Sequence, residues 1–358
     1  MQSGPQDDNR RTVSSSEAVD ASGVRAAMLR RMYRRSTASG QISLPAVPGM
    51  VDDYLRVCAD LFAAVGVEYS GGEFAQLREV LADQLAQAYG ASPRSAIVID
   101  FHCPFGTSAH YRVHAASASV GADYDAWIGT RAGPLFGVHP DARVWDLAGR
   151  HGDPASCPVL DIGAGTGRNG LALARRGHRV DAVELAEKLA HSMRYEVQRD
   201  SLDVRVLACD IFASTAELRC DYQLIVASEV VPDFRGTDDL AALLALADAH
   251  LAPGGQLVLN TFRTRDGYVP DDTARQFGQQ CNTMFFTPDE IAAAAHGRTL
   301  HLVADDCAPE YERVHLPTGA WPPTAWYHDW AYGLDLFDLE PDTSPIELRW
   351  LVFEKPTA

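Results

Sequence analysis

The amino-acid sequence predicts an α/β protein: a doubly wound, mainly parallel sheet of seven strands, preceded by a mostly helical accessory domain. Three observations lead there. From Cys157 to Ala304 short apolar runs alternate with helix-like stretches, as a parallel sheet covered on both faces requires. Before that region the apolar periodicity is helical and then strand-like, so a separate small unit precedes the sheet. The chain of 358 residues is long enough for two domains at roughly 150 residues each.

The elements follow in order. Residues 1–45 read as a disordered or partly helical tail with Ser and Gly clusters and few large apolar residues. Its stretch from Arg10 to Arg35 holds seven Arg against Glu17 and Asp20, which fits a solvated helix over Ala26 to Arg35 or docking on an acidic partner. Residues 46–150 form the accessory unit. Tyr54, Val57, Cys58, Leu61, Phe62 and Val65 share one helical face, and Gly66 interrupts it. Ser70 and Glu73 have capping-box spacing for a second helix carrying Phe74, Leu77, Leu81, Leu85 and Ala88. A strand-like run from Ala96 to Phe101, a Pro104-Phe105-Gly106 turn and a second run around Tyr111 to Val113 suggest a hairpin.

Residues 151–358 carry the seven strand candidates: Val159-Leu160, Val180–Val183, Val204–Ala208, Leu224–Ala227, Leu257–Asn260, Leu300–Val303 and Glu347–Phe353. Asn169–Arg176, Glu187–Arg199 and Asp238–Leu251 are the helices between them, and Thr287-Pro288-Asp289-Glu290 starts another. Between the last two strands, 306–346 is Pro-rich and aromatic, too long for a plain connection.

Composition narrows the function. With 31 basic and 48 acidic residues the formal charge is −17, which argues against a broad grip on nucleic acid. Seven scattered cysteines without a CxxC pair read as free thiols of a reducing compartment. No apolar run reaches the roughly 18 residues of a membrane span, and the Arg10-Arg11 start lacks the apolar core of an export signal. A cytoplasmic protein acting on a small molecule is expected, with no membrane partner and with the accessory domain as a candidate oligomer contact.

The string Asp161-Ile162-Gly163-Ala164-Gly165-Thr166-Gly167-Arg168-Asn169 is the most informative in the chain. A strand ends in a carboxylate, and alternating glycines lead directly into a helix, so backbone can approach a ligand closely beside the positive helix end. Gly165-x-Gly167-x-x-Gly170 also matches a dinucleotide fingerprint with Glu184 as its acidic partner, but Gly163 already follows the strand, so that register starts late. An NAD-dependent oxidoreductase and a non-catalytic binder are the competing classes.

In the other register, Asp161 to Gly167 resembles motif I of the class I S-adenosylmethionine-dependent methyltransferases, of the small-molecule, natural-product type. Val183-Glu184, Cys209-Asp210-Ile211, Ala227-Ser228-Glu229 and Leu251-Ala-Pro-Gly-Gly255 agree with it in order and spacing. The resemblance implies a Rossmann-like fold with S-adenosyl-L-methionine as cofactor. It implies that Gly163, Ala164, Gly165, Gly167 and Asn169 form the backbone cradle, with Asp161 on the cofactor's ammonium. Glu184 and the adjacent Leu185 would meet the ribose, Asp210 and Ile211 the adenine, and Ser228 and Glu229 the methionine end.

An in-line methyl transfer needs a base only if the acceptor must lose a proton. Glu229 is the candidate base, and His328 a second catalytic candidate. The chain has Ser-Glu-Val-Val-Pro where many protein and nucleic-acid methyltransferases carry Asn- or Asp-Pro-Pro-Tyr, which favours a small acceptor methylated on carbon, nitrogen or oxygen. Seven aromatics between Tyr311 and Phe337 fit an aromatic or apolar acceptor, indole-like or isoprenoid-like, with Trp326, Tyr327 and Trp330 as its wall. Tyr111 is placed near the cofactor. His102, His110 and His114 alternate without a second ligand group, so no metal is expected.

Overall fold

A computed structural model describes residues 20–33, 35–67, 69–104, 110–117, 134–213 and 215–357. The readings of Arg10-Arg11, Arg34 and the Phe105-Gly106 turn lie outside these residues. The large sheet follows the expected alternation. Its strands are β4 (Val159–Ile162), β5 (Val180–Glu184), β6 (Val204–Ala208), β7 (Tyr222–Ala227), β8 (Leu251–Thr264), β10 (His301–Cys307) and β11 (Ile346–Glu354). They lie in the order β10-β11-β8-β7-β4-β5-β6, and β9 (Phe285–Phe286) adds a short pairing to β8. The pairs among β4 to β8 are parallel, and β11 runs antiparallel to both neighbours.

The chain moves outward from β4 through β5 to β6, then returns to the other side of β4 with β7. That reversal opens a crevice at the carboxyl ends of β4 and β7, where doubly wound sheets bind ligands. Helices cover both faces. α5 (Gly170–Arg175), α6 (Glu187–Asp200) and α7 (Thr237–His250) are crossovers, and α9 (Pro288–Ala295) starts with the expected Thr287–Glu290 capping box. One core centres on Val159, Val226, Phe262 and Trp350, the other on Leu160, Ile225, Leu244 and Phe286, as alternation along strands buried on both faces dictates.

The accessory unit has the expected helix pair and hairpin and adds a third strand. α2 (Val51–Ala64) and α3 (Gly71–Ala91) pack on a three-stranded antiparallel sheet of β1 (Ala38–Pro45), β2 (Ala96–Cys103) and β3 (His110–Ala116). Tyr54, Cys58, Phe62, Leu77, Leu81 and Leu85 meet Ile97 and Ile99 in its core. The Ser70–Glu73 capping box forms as expected. β1 falls within the segment first placed in the tail; it pairs with β2 along its whole length, from Ala38↔Cys103 to Pro45↔Ala96. Ahead of it, α1 (Ala21–Tyr33) buries no residue.

The boundary at residue 150 also moves. α4 (Ala142–Gly149) belongs to the large domain, because Val144, Leu147 and Ala148 are buried in the same core as Val159 and Trp350. Glu312, from α10 (Ala308–His315), caps α4: its carboxylate accepts from the amides of Ala142 at 2.7 Å and Arg143 at 3.2 Å, and from Trp350 Nε1 at 3.0 Å. The two units meet through polar contacts. Arg94 donates to Asp233 and Asn282, and Tyr89 Oη donates to Gln279 in α8 (Asp272–Gln280).

Candidate active site

A cavity of about 400 Å³ occupies the crevice, within the roughly 300–1,000 Å³ usual for small-molecule sites. Successive strand ends supply its wall: Asp161 to Gly165 after β4, Glu184 and Leu185 after β5, Cys209 to Phe212 after β6, and Ser228 to Arg235 after β7. Arg168 and Asn169 at the start of α5 complete that side, and the Phe136 ring lines the cavity beside Gly165.

The glycine loop takes the shape its sequence allows. Gly163, Gly165 and Gly167 have φ of 64°, 57° and 86°, in the left-handed region that disfavours any side chain. The Gly165 amide donates to Glu184 Oε2 at 2.7 Å, and the Ala186 amide donates to Oε1 at 2.7 Å, so Glu184 ties loop to strand end while facing the cavity. Asp161 Oδ2 accepts from the Gly170 amide at 2.8 Å. Asp210 accepts from the Phe212 amide at 2.8 Å, and Ile211 beside it is buried. Gly167 shapes the turn without lining the cavity; a Cβ there would lie 2.5 Å from Leu171.

Gly165→Val is expected to weaken S-adenosylhomocysteine binding by more than about tenfold, since a β-branched residue at positive φ costs about 1–3 kcal/mol of strain. The new Cβ would also stand 3.3 Å from the Phe136 ring, and the amide held by Glu184 would shift. Isothermal titration against the wild-type protein checks this.

Behind the loop lies a buried charged hub. Arg168 donates from Nη2 to Glu229 Oε1 at 2.8 Å and pairs through both terminal nitrogens with Asp141. Asp141 also accepts from Ser228 Oγ at 2.7 Å and Asn169 Nδ2 at 2.8 Å. One guanidinium thus serves two carboxylates. Glu229 has φ of 60°, rare for a side-chain-bearing residue, and its amide donates to Asn260 Oδ1 at 2.6 Å. Such a backbone is maintained only where its surroundings enforce it, and it turns the Glu229 carboxyl toward Arg168 and the cavity.

Burial pushes the carboxyls of Asp161, Glu229 and Glu312 each up to about 7, with Asp141 adding repulsion and Arg168 opposing it. Burial raises Glu184 as well, against its amide hydrogen bonds. Burial works against the Arg168 charge, but Asp141 and Glu229 reverse this and raise it.

Because folded pKa values lie above unfolded ones for these acids, their stabilisation is full below about pH 4 and is lost as pH rises through about 7. The ligand-free protein is therefore expected to lose melting temperature between about pH 4.5 and pH 7 and to level off above that, and Glu312→Gln to flatten the fall, read by differential scanning calorimetry.

Several predicted site residues lie elsewhere. Tyr111 sits in β3, packed against the accessory core. His328 is exposed, with Nδ1 3.0 Å from Asp329, and is not among the residues that line the cavity. Tyr327 and Trp330 are 2% and 5% exposed and pack in the large core, Trp330 against Phe262 and with its Nε1 donating to Asn282 O. Trp326 is half-buried against the same core, and its Nε1 donates to Leu135 O at 3.1 Å. These rings pack because the insertion folds back onto the open face of β8 and β11. They reach the cavity at one remove, Trp326 holding the residue before Phe136. Asp141, Arg168, Asn260 and Phe136 were missed; only Arg168, inside the glycine string, had a local signal.

Residues 159–255 match the family model described as a methyltransferase domain. The ubiquinone biosynthesis O-methyltransferase of Xanthomonas axonopodis pv. citri is 32% identical over 133 residues, 36% of this chain and 52% of that protein. Hemagglutinin 1 of Eikenella corrodens is 35% identical over 113 residues, 31% of this chain and 37% of that one. The chain therefore spans about a third to a half of the length of these curated relatives. Among solved structures, a geranyl diphosphate C-methyltransferase from Streptomyces coelicolor A3(2) aligns with TM-score 0.47 at 16% identity, over 67% of this chain and 99% of that one. The family match begins at the first residue of β4 and runs into β8, so it spans the strand ends after β4 to β7 that wall the cavity. Over residues 159–255 the chain carries a methyltransferase domain.

Proposed function

We propose that the whole chain is a methyltransferase that moves a methyl group from S-adenosylmethionine to a small, aromatic or apolar metabolite of secondary metabolism. The observation that carries this is the charge of the cavity. Asp161, Glu184, Asp210, Glu229, Asp233 and Asp239 line it against Arg168 and Arg235. An acidic lining favours a ligand bearing a sulfonium and an ammonium, and repels the pyrophosphate of a dinucleotide. The donor set fits the cofactor. Asp161 would hold the ammonium, Glu184 the ribose hydroxyls and Asp210 the adenine amino group, with Ile211 and Phe212 against the ring.

When bound, the cofactor supplies an electrophilic methyl group on a cationic sulfur. The chain's own part is to align and desolvate. Phe136, Val230 and Phe234 give the cavity an apolar side suited to a flat or hydrocarbon acceptor. Glu229 stands at the β7 end as the acceptor's base, oriented by Arg168 and Asn260.

Transfer of labelled methyl from S-adenosylmethionine to a panel of indoles, phenols, amines and isoprenoids tests the proposal. Label in at least one small acceptor is expected. Label only in added RNA or protein would overturn the acceptor class.

A further inference from the structure

The hub around Glu229 holds more acid than its single guanidinium balances. Arg168, 8% exposed at its side chain, contacts Asp141 and Glu229, whose side chains are 4% and 13% exposed. Asp161, 2% exposed, lines the same cavity. The other ionisable groups facing Glu229 do not supply the missing charge. Asp233 on its own loop is already paired with Arg94 of the accessory unit, Arg235 at the cavity wall is held by Tyr89, donating to its carbonyl and lying over its ring, and Tyr327 from the insertion feels Glu312, Asp141 and Glu229 together. Buried carboxylates that outnumber their cations retain a proton, and a cation entering the cavity displaces it.

We propose that this hub is a proton-linked counter-charge for the cationic cofactor: it expels a proton when a sulfonium enters, and Glu229 recovers one from the acceptor during methyl transfer. This rests on the methyltransferase reading of the cavity. The balance closes at each stage. On binding, a positive charge enters and a proton leaves to solvent, so the buried net charge is unchanged. In the transfer, the bond from sulfur to methyl breaks with its electron pair passing to sulfur, and a bond forms from the acceptor atom to methyl. The acceptor's proton moves to the Glu229 carboxylate, replacing the positive charge lost at sulfur. The hub is then back in its protonated form, beside a neutral thioether it no longer attracts.

The burial-raised Glu229 and Asp161 place this exchange near neutral pH. It predicts that methyl donor and demethylated product differ in their proton linkage.

Isothermal titration of the full chain with S-adenosylmethionine and with S-adenosylhomocysteine, in two buffers of different ionisation enthalpy, measures this directly. At about pH 7 the sulfonium form is expected to release roughly half a proton more than the thioether. Its affinity should fall by up to about tenfold for each unit that the pH is lowered below neutrality, while that of the thioether stays flat. Glu229→Gln should lower the release, and Glu229→Asp should restore it. The ligand's own amine titrates identically with each protein and cancels in that comparison. Equal proton release by the two ligands with the wild-type protein would overturn the inference while leaving the methyltransferase reading intact. Failure of both to bind would remove that reading instead. The wild-type comparison decides even if a Glu229 variant does not fold.

Discussion

Glu184→Ala is expected to lower S-adenosylhomocysteine affinity by about 100-fold or more. Its carboxylate accepts two 2.7 Å hydrogen bonds from the amides of Gly165 and Ala186 and still faces the cavity. Each hydrogen bond to a charged group contributes about 1.5–3 kcal/mol, and the variant also loses the acceptor for the ribose hydroxyls. Glu184→Gln keeps one acceptor oxygen and should lose less. Titration calorimetry gives both affinities, and the melting temperature separates a lost ligand contact from a collapsed loop. An alanine variant within fivefold of the wild-type protein would show that the ribose lies elsewhere.

Trp330→Ala should have the largest effect on stability, about 3–5 kcal/mol for removal of a large core aromatic. Trp330 meets Phe262 edge to face at 5.2 Å and Trp326 at 5.7 Å, and its Nε1 donates to Asn282 O at 2.8 Å. Denaturant unfolding should show a lower midpoint, with S-adenosylhomocysteine affinity preserved at a permissive temperature. A weakened acceptor contact at unchanged stability would return Trp330 to the substrate wall.

What was legible in the sequence was whatever lies close along the chain. The DxGxGxG string, Glu184 and Asp210 each sit at the end of an apolar run, and a parallel sheet brings such ends to one edge by topology alone. Asp141, Glu312 and Asn260 reach the site from segments distant from the glycine string, and no local pattern distinguishes them from surface charges or loop polar groups. Asp141 stands at the N-cap position of α4, where a carboxylate ordinarily caps its own helix; here it makes no such bond, and Glu312 takes that role from far along the chain. β1 escaped because Ala-Ser-Gly-Gln-Ile-Ser-Leu-Pro alternates small and polar residues with few large apolar ones. Its place is set by pairing with β2. The aromatic segment was visible as composition, but aromatics in a core and aromatics at a site share that composition, and only packing separates them.

The central claim is that the acidic crevice at the β4–β7 reversal binds S-adenosylmethionine. Parallel calorimetric titrations of the full chain with S-adenosylmethionine, S-adenosylhomocysteine and NAD test it most directly. Saturable binding of both sulfur ligands in equimolar ratio, with no heat from NAD, is the predicted result. Binding of NAD with no response to either sulfur ligand would contradict it.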